Sequence, residues 1–96
     1  MSETIAFTLA VYDVLLVAAL VWCAAKALGS EALLTAAAMF VAFGFLMTLV
    51  WVRLGAPDVA LAEAGIGAGF TGALLFAAIA RLGRGSRRQR TDDGEA

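Results

Sequence analysis

Two acidic residues lie inside stretches of this chain that are otherwise apolar for the width of a membrane. Asp13 falls within the first apolar run, and Glu63 falls within the third, five residues after Asp58. A carboxylate in hydrocarbon costs about 3 kcal/mol on insertion scales unless it has a partner or a function. Such a group can bind and release a proton or contact a passing cation. We therefore predict that Glu63, Asp58 and Asp13 belong to an ion or proton pathway.

Each acid also has a structural interpretation. If the first helix is centred near Leu16, Asp13 lies about 4.5 Å from that centre, and a hydrogen bond to a neighbouring helix explains it as well as a proton site does. Glu63 lies about 10 Å outward of the third run's midpoint, so the alternative is a capped acid facing a polar crevice. Asp58 and Arg53 flank a short loop, and we expect them to pair with each other.

The segment that follows Glu63 is rich in glycine, with Gly65, Gly67, Gly69 and Gly72. At about 100° per residue, three of them share one face and Gly67 lies on the face of Glu63. Small residues allow helices to approach closely. They also lower the cost of a π-turn, which would swing Asp58 and Glu63 toward each other. We therefore assign Gly65, Gly67 and Gly69 to a deformable part of the third helix.

Composition predicts the elements that hold these residues. The chain has 96 residues, of which 62% are hydrophobic and 16% charged, and a soluble domain of this size buries only about 60% of its surface. Three runs, at about 4–28, 32–52 and 59–82, reach the roughly 20 apolar residues that cross a bilayer. The predicted fold is an all-α membrane protein with three transmembrane helices in residues 1–82. Residues 83–96 are polar and are predicted to be a disordered tail.

Several classes of site are disfavoured. The chain has no histidine and one cysteine, which argues against a histidine or thiolate metal centre. We interpret Cys23 as a packing residue, and the absence of a basic residue before Lys26 argues against a cleaved signal. The arginines of the tail are expected to anchor it at lipid headgroups rather than to bind nucleic acid. Ser30 is expected to cap the second helix.

A motif in the third run resembles a known family. The stretch Gly55-Ala56-Pro57-Asp58-Val59-Ala60-Leu61-Ala62-Glu63-Ala64, followed by Gly67-Ala68-Gly69 and an apolar run, resembles the small MbhD-like membrane subunits. These occur in membrane-bound hydrogenases and in Mrp-type multisubunit sodium/proton antiporters. The resemblance covers about residues 50–82 and is weak over the first helix. Ala62 stands where the family commonly has Thr, and Glu63 favours the stand-alone subunit over fused versions, which often carry Gln. The family is similar to the first three helices of the J-type subunit of respiratory complex I, whose third helix can form a π-bulge near an acidic residue.

The resemblance implies a small subunit of a cation(Na⁺)/proton antiporter complex in the cell (inner) membrane. Its partners would be other membrane subunits, the lipid bilayer, and Na⁺ and H⁺ as transported ions, with no cofactor. It nominates Asp58 and Glu63 and no catalytic group, so we expect no enzyme activity in the chain itself. Three alternatives remain: a subunit of an ion-pumping membrane-bound hydrogenase, an assembly subunit that moves no ions, and a homo-oligomeric pore.

The basic residues predict the orientation of the chain. Lys26 and five arginines lie on one predicted side of the membrane, and only Arg53 lies on the other; the arginines are Arg81, Arg84, Arg87, Arg88 and Arg90. Because basic residues are retained in the cytoplasm, we predict that the N-terminus is outside and the C-terminus is cytoplasmic. A reporter fused after Ala96 should be active only in its cytoplasmic form. Activity of a periplasmic reporter there would contradict the assignment.

Overall fold

The computed structural model describes residues 1–95, which form helices joined by two short turns. The elements are α1 (Ser2–Gly29), α2 (Leu33–Arg53), α3 (Pro57–Ala62), a π-helical segment (Glu63–Phe70) and α4 (Thr71–Glu95). The last three are continuous and are together called the third helix. α1, α2 and the third helix are each long and apolar enough to cross a membrane. The predicted all-helical fold with three membrane-length helices is therefore confirmed.

The turn between α1 and α2 differs from the prediction in its capping. Ala32 is the residue that precedes α2, and no side chain caps this helix. The Ser30 hydroxyl instead donates a hydrogen bond to the Ala32 carbonyl oxygen at 3.2 Å. The prediction that Ser30 caps α2 is wrong, because the helix begins three residues after it.

The turn between α2 and α3 depends on two residues with special backbones. Gly55 has a φ of +78°, which a residue without a side chain adopts at little cost. Pro57 then begins α3, where its missing N–H would have no helical partner in any case. Asp58 lies in the first turn of α3, as expected, where a negative charge favours the helix dipole.

α2 is the central element of a flat arrangement. α1 packs antiparallel against one part of α2 and the third helix packs antiparallel against another, while α1 and the third helix do not pack together within residues 1–95. The chain measures 74 × 25 × 15 Å, so it is thin in one direction. Its few buried side chains are small, and they include the free Cys23. Most of the apolar surface therefore faces outward.

The closest helix contact joins α2 to the π segment. A Cβ placed on Gly44 would lie 3.0 Å from the Ala68 Cβ, and one placed on Gly72 would lie 2.7 Å from Val41 Cγ2. Ala60 and Ala68 are only 3% and 1% exposed. Small residues on both sides thus let the backbones approach closely, as helices in membranes often do.

The face used for this contact is not the predicted one. Gly65 and Gly69 are exposed, and a Cβ on Gly65 would have no neighbour within 4 Å. Only Gly72 of the predicted face packs against α2. The prediction assumed regular α-helical angles, whereas the residues between Glu63 and Phe70 are wound as a π-helix. That winding turns each residue through a smaller angle and so moves Ala68 to the contact.

The polar residues after Leu82 also differ from their predicted disorder. α4 continues through them to Glu95, and Ala96 lies outside the described residues. After Pro57 the chain has no proline, and adding a residue to an existing helix costs far less than nucleating one. Residues 83–94 are exposed, so this extension is not held by packing against the rest of the chain.

The Gly44–Ala68 contact generates a stability prediction. Gly44→Leu should lower the free energy of unfolding in detergent by about 1–3 kcal/mol, because the added side chain meets Ala68 and its backbone. Gly83→Leu is the matched control, since Gly83 lies in α4 with open space around it. Equal stability of the two variants would contradict the close contact.

Candidate ion-pathway site

The main-chain hydrogen bonds of the third helix change at Glu63. The N–H of Glu63 still donates to Val59 and Ala60, as in an α-helix or a 3₁₀ turn. From Glu63 to Phe70 the chain is π-helical, a winding that occurs mostly as single turns at functional sites. All three glycines assigned to a deformable segment, at positions 65, 67 and 69, lie within it.

Thr71 closes the π segment with two hydrogen bonds. Its N–H donates to the carbonyls of Ile66 and Ala68, and its hydroxyl donates to the Ile66 carbonyl at 2.8 Å. In an α-helix the N–H of Thr71 would donate to Gly67 instead. The Gly67 carbonyl therefore lacks its usual donor, in the same segment that carries Glu63.

The Glu63 side chain lies along the helix over Gly67. A Cβ on Gly67 would be 2.5 Å from Glu63 Oε1 and 2.9 Å from Cδ, so only a glycine leaves room for the carboxyl group in this position. Glu63 is half-buried. Among residues 1–95, no side chain forms an ion pair or hydrogen bond with it, since the only ion pair there joins Asp13 to Arg53. The acid predicted from sequence is thus present, partly covered and unpaired within the described chain.

Asp58 is not brought to Glu63. The π winding begins at Glu63 rather than between the two acids, so the turn from Asp58 to Glu63 is α-helical. Five residues of α-helix separate them by about 7.5 Å along the axis and turn them well apart. The prediction of a π-turn that joins these two acids is wrong. The distortion occurs one turn later.

Asp13 and Arg53 form the ion pair that the sequence assigned to Arg53 and Asp58. Arg53 Nε donates to Asp13 Oδ1 at 2.9 Å, and Nη2 donates to Oδ2 at 3.2 Å. The two side chains are 38% and 45% exposed in the isolated chain. Two parallel N–H···O bonds of this kind combine charge with fixed geometry. The pair joins the last residue of α2 to the middle of α1, and the expected Arg53–Asp58 pair is absent from residues 1–95.

The sequence could not reveal this partner. Arg53 and Asp13 are 40 residues apart, and only the antiparallel packing of α1 on α2 brings them to the same level. Thr71 was also missed. A hydroxyl residue five positions after Ile66, directly behind a run of glycines, is a signal compatible with its role of closing a π-helix.

The structure therefore contains two separate polar sites. The Asp13–Arg53 pair lies between α1 and α2, and Glu63 lies on the third helix, which does not pack against α1. Asp58 is exposed at the start of α3. No group of three or more histidine, cysteine, aspartate or glutamate side chains suited to a metal ion occurs within residues 1–95.

Membrane-length helices with an acid among them define the class as multi-pass membrane proteins. In a comparison with protein families, residues 18–84 match MbhD, the D-type component of MBH. The chain belongs to this family, whose members are subunits of Mbh- and Mrp-type membrane complexes. Searches of curated proteins and of solved structures found no match.

The ion pair generates a prediction about stability. Asp13→Asn or Arg53→Gln alone should destabilise the chain in lipid, because each leaves a lone charge between α1 and α2. The double variant should be more stable than the sum of the single effects predicts, by about 0.5–3 kcal/mol. Unfolding of the four proteins in lipid–detergent mixtures measures this coupling. Strict additivity would mean that the pair does not link the helices.

Proposed function

We propose that this chain is a small membrane subunit of a multisubunit cation(Na⁺)/proton antiporter and that Glu63 forms part of its translocation path. In this mechanism the Glu63 carboxylate accepts and releases a proton, or lines a hydrated path for Na⁺ or H⁺. Asp58 contributes negative charge at the outer mouth of that path. The proposal extends the family assignment from membership of a complex to a role in moving ions.

The observation that carries the proposal is the position of Glu63. A carboxylate in a membrane-length helix is expensive unless it is paired or used, and Glu63 has no side-chain partner among residues 1–95. It is also the first residue of the π segment, and glycine is present where its carboxyl group lies. A merely structural acid needs none of these features.

Asp13 receives a different role in this proposal. Its charge is balanced by the bidentate contact with Arg53, so its protonation would leave Arg53 as an unpaired cation. We assign Asp13 to holding α1 against α2 and leave proton transfer to Glu63. This separates the two acids that the sequence grouped together.

The proposal includes a setting and partners. We place the chain in the cell (inner) membrane as a multi-pass protein, with its N-terminus outside and its arginine-bearing end in the cytoplasm. Large membrane subunits would cover the exposed apolar faces and the open side of Glu63. Any enzyme activity of the complex would belong to those partners, and this chain would contribute none.

The family description favours a second candidate, a subunit of an ion-pumping membrane-bound hydrogenase. The proposed role of Glu63 is the same in both complexes, because each must move ions through the membrane. The candidates differ in the driving force. Cation/proton exchange in vesicles without a redox substrate supports the antiporter, and ion movement that requires hydrogen turnover supports the hydrogenase.

The first functional prediction concerns the charge of Glu63. Glu63→Gln keeps the shape of the side chain but removes its titratable group, so the complex should assemble while exchange in membrane vesicles falls about tenfold or more. Glu63→Ala should lose exchange as well. Normal exchange by an assembled Glu63→Gln complex would refute the proposed role, and a defect in assembly with Ala alone would indicate a structural one.

The second functional prediction concerns the space over Gly67. Gly67→Ala places a methyl group where the Glu63 carboxyl lies, and this flexible side chain can move away without unfolding the helix. We expect normal assembly but altered pH dependence of exchange. Gly65→Ala is the matched control, because it adds the same methyl group within the π segment where nothing lies within 4 Å. Equal effects of the two substitutions would mean that the position of the carboxyl group does not matter.

A further inference from the structure

A second polar cavity lies far from Glu63, at the turn that joins α1 to α2. It has a volume of about 460 Å³, within the usual range for small-ligand pockets, and opens to the outside. Lys26, Ser30 and Thr35 provide its polar lining, and Trp22 and Met39 are among its apolar residues. We call it the turn cavity. One end is thus cationic and hydroxyl-bearing, and the rest is apolar.

The charge of Lys26 is available at this cavity. Its ammonium group lies 5.8 Å from the centre of the Trp22 ring, a cation–π distance that holds the amine near the opening. Within residues 1–95 the only ion pair is Asp13–Arg53, so the neighbouring Glu31 does not neutralise Lys26. The Thr35 hydroxyl also forms no hydrogen bond with the described residues, whereas Ser30 already donates to Ala32. The cavity therefore offers one free cation and one free hydroxyl donor.

The cavity also lies at the level of a membrane surface. It is at the end of α1 and the start of α2, on the same side as the arginines of α4. Trp22 lies four residues before Lys26, which is about 6 Å further into the membrane. A ligand that has a negative headgroup at Lys26 would then place its apolar part along Trp22 and Met39.

We propose that the turn cavity binds the phosphate headgroup of an anionic glycerophospholipid, with the acyl chain passing Trp22. Basic pockets between transmembrane helices are suited to such headgroups. Lys26 would contact the phosphate and Thr35 would donate a hydrogen bond to it. The proposal does not depend on the transport role of Glu63, because the two sites are on different helices.

Fluorescence of Trp22 provides a direct test in the full chain. Trp51→Phe leaves Trp22 as the only tryptophan. This protein is reconstituted into phosphatidylcholine nanodiscs that contain a minor fraction of phosphatidylglycerol, with bromine on the acyl chains of one lipid or the other. Bromine quenches tryptophan only at close range. We expect brominated phosphatidylglycerol to quench Trp22 more strongly, per mole, than brominated phosphatidylcholine.

Three substitutions in the Trp51→Phe chain separate a site from general attraction to charge. Lys26→Gln should reduce the preference for the anionic lipid roughly fivefold, the effect of one basic residue at a membrane surface, and Lys26→Arg should retain it. Arg90→Gln removes the same charge about 12 Å beyond Leu82, more than a Debye length away, and should leave the preference intact. Circular dichroism verifies that each variant keeps its helices.

Three outcomes would overturn the proposal. Equal quenching by the two brominated lipids would show that no headgroup is selected. An equal loss with Lys26→Gln and Arg90→Gln would show diffuse attraction instead of a site. Removal of the phosphatidylglycerol preference by millimolar inorganic phosphate would identify a site for free phosphate rather than for lipid.

Discussion

The interior of a bilayer has no water to solvate a charge, and this constraint sorts every ionisable group in the three long helices. Arg53 and Asp13 neutralise each other through two hydrogen bonds. Lys26 and the arginines lie toward helix ends, where long side chains reach the headgroups. Glu63 is the exception, because it is a short acid without a partner among residues 1–95. A group that membrane energetics would remove has been kept, and this gives it functional meaning.

α2 connects the two polar sites while keeping them apart. It contacts the π segment through small residues, Gly44 against Ala68, and it contacts α1 near Arg53. The first contact depends on shape and the second on charge. Because α1 does not pack on the third helix, a change at Asp13 reaches Glu63 only through α2 or through another subunit. The flat shape also leaves broad apolar faces to be covered by lipid or protein.

The sequence predicts those features of the chain that depend on composition and local order. Long apolar runs are sufficient to indicate three helices, and Gly55 and Pro57 are sufficient to place the second turn. The acid followed by glycines also indicated that the third helix is distorted, although the π winding begins at Glu63 and not before it. These signals are local, so one sequence is enough to reveal them.

The predictions that failed required knowledge of which helices touch and of how each is wound. Arg53 had acids on both sides of a packing choice, Asp58 nearby in sequence and Asp13 across a helix interface, and the interface provided the partner. The glycine face was calculated for an α-helix, so the π segment displaced it and buried Ala68 instead of Gly65. Neither outcome follows from the spacing of residues alone.

The π segment also has a consequence for the register of everything that follows it. Each residue within it turns through a smaller angle than in an α-helix, so α4 leaves the segment at a rotated azimuth. Gly72 meets Val41 only at that azimuth, and the same rotation sets the direction in which the arginines of α4 project. Deletion of one residue between Glu63 and Phe70 would therefore act at a distance. It would reorient a charged surface that lies tens of ångströms from the deleted residue while leaving its composition unchanged.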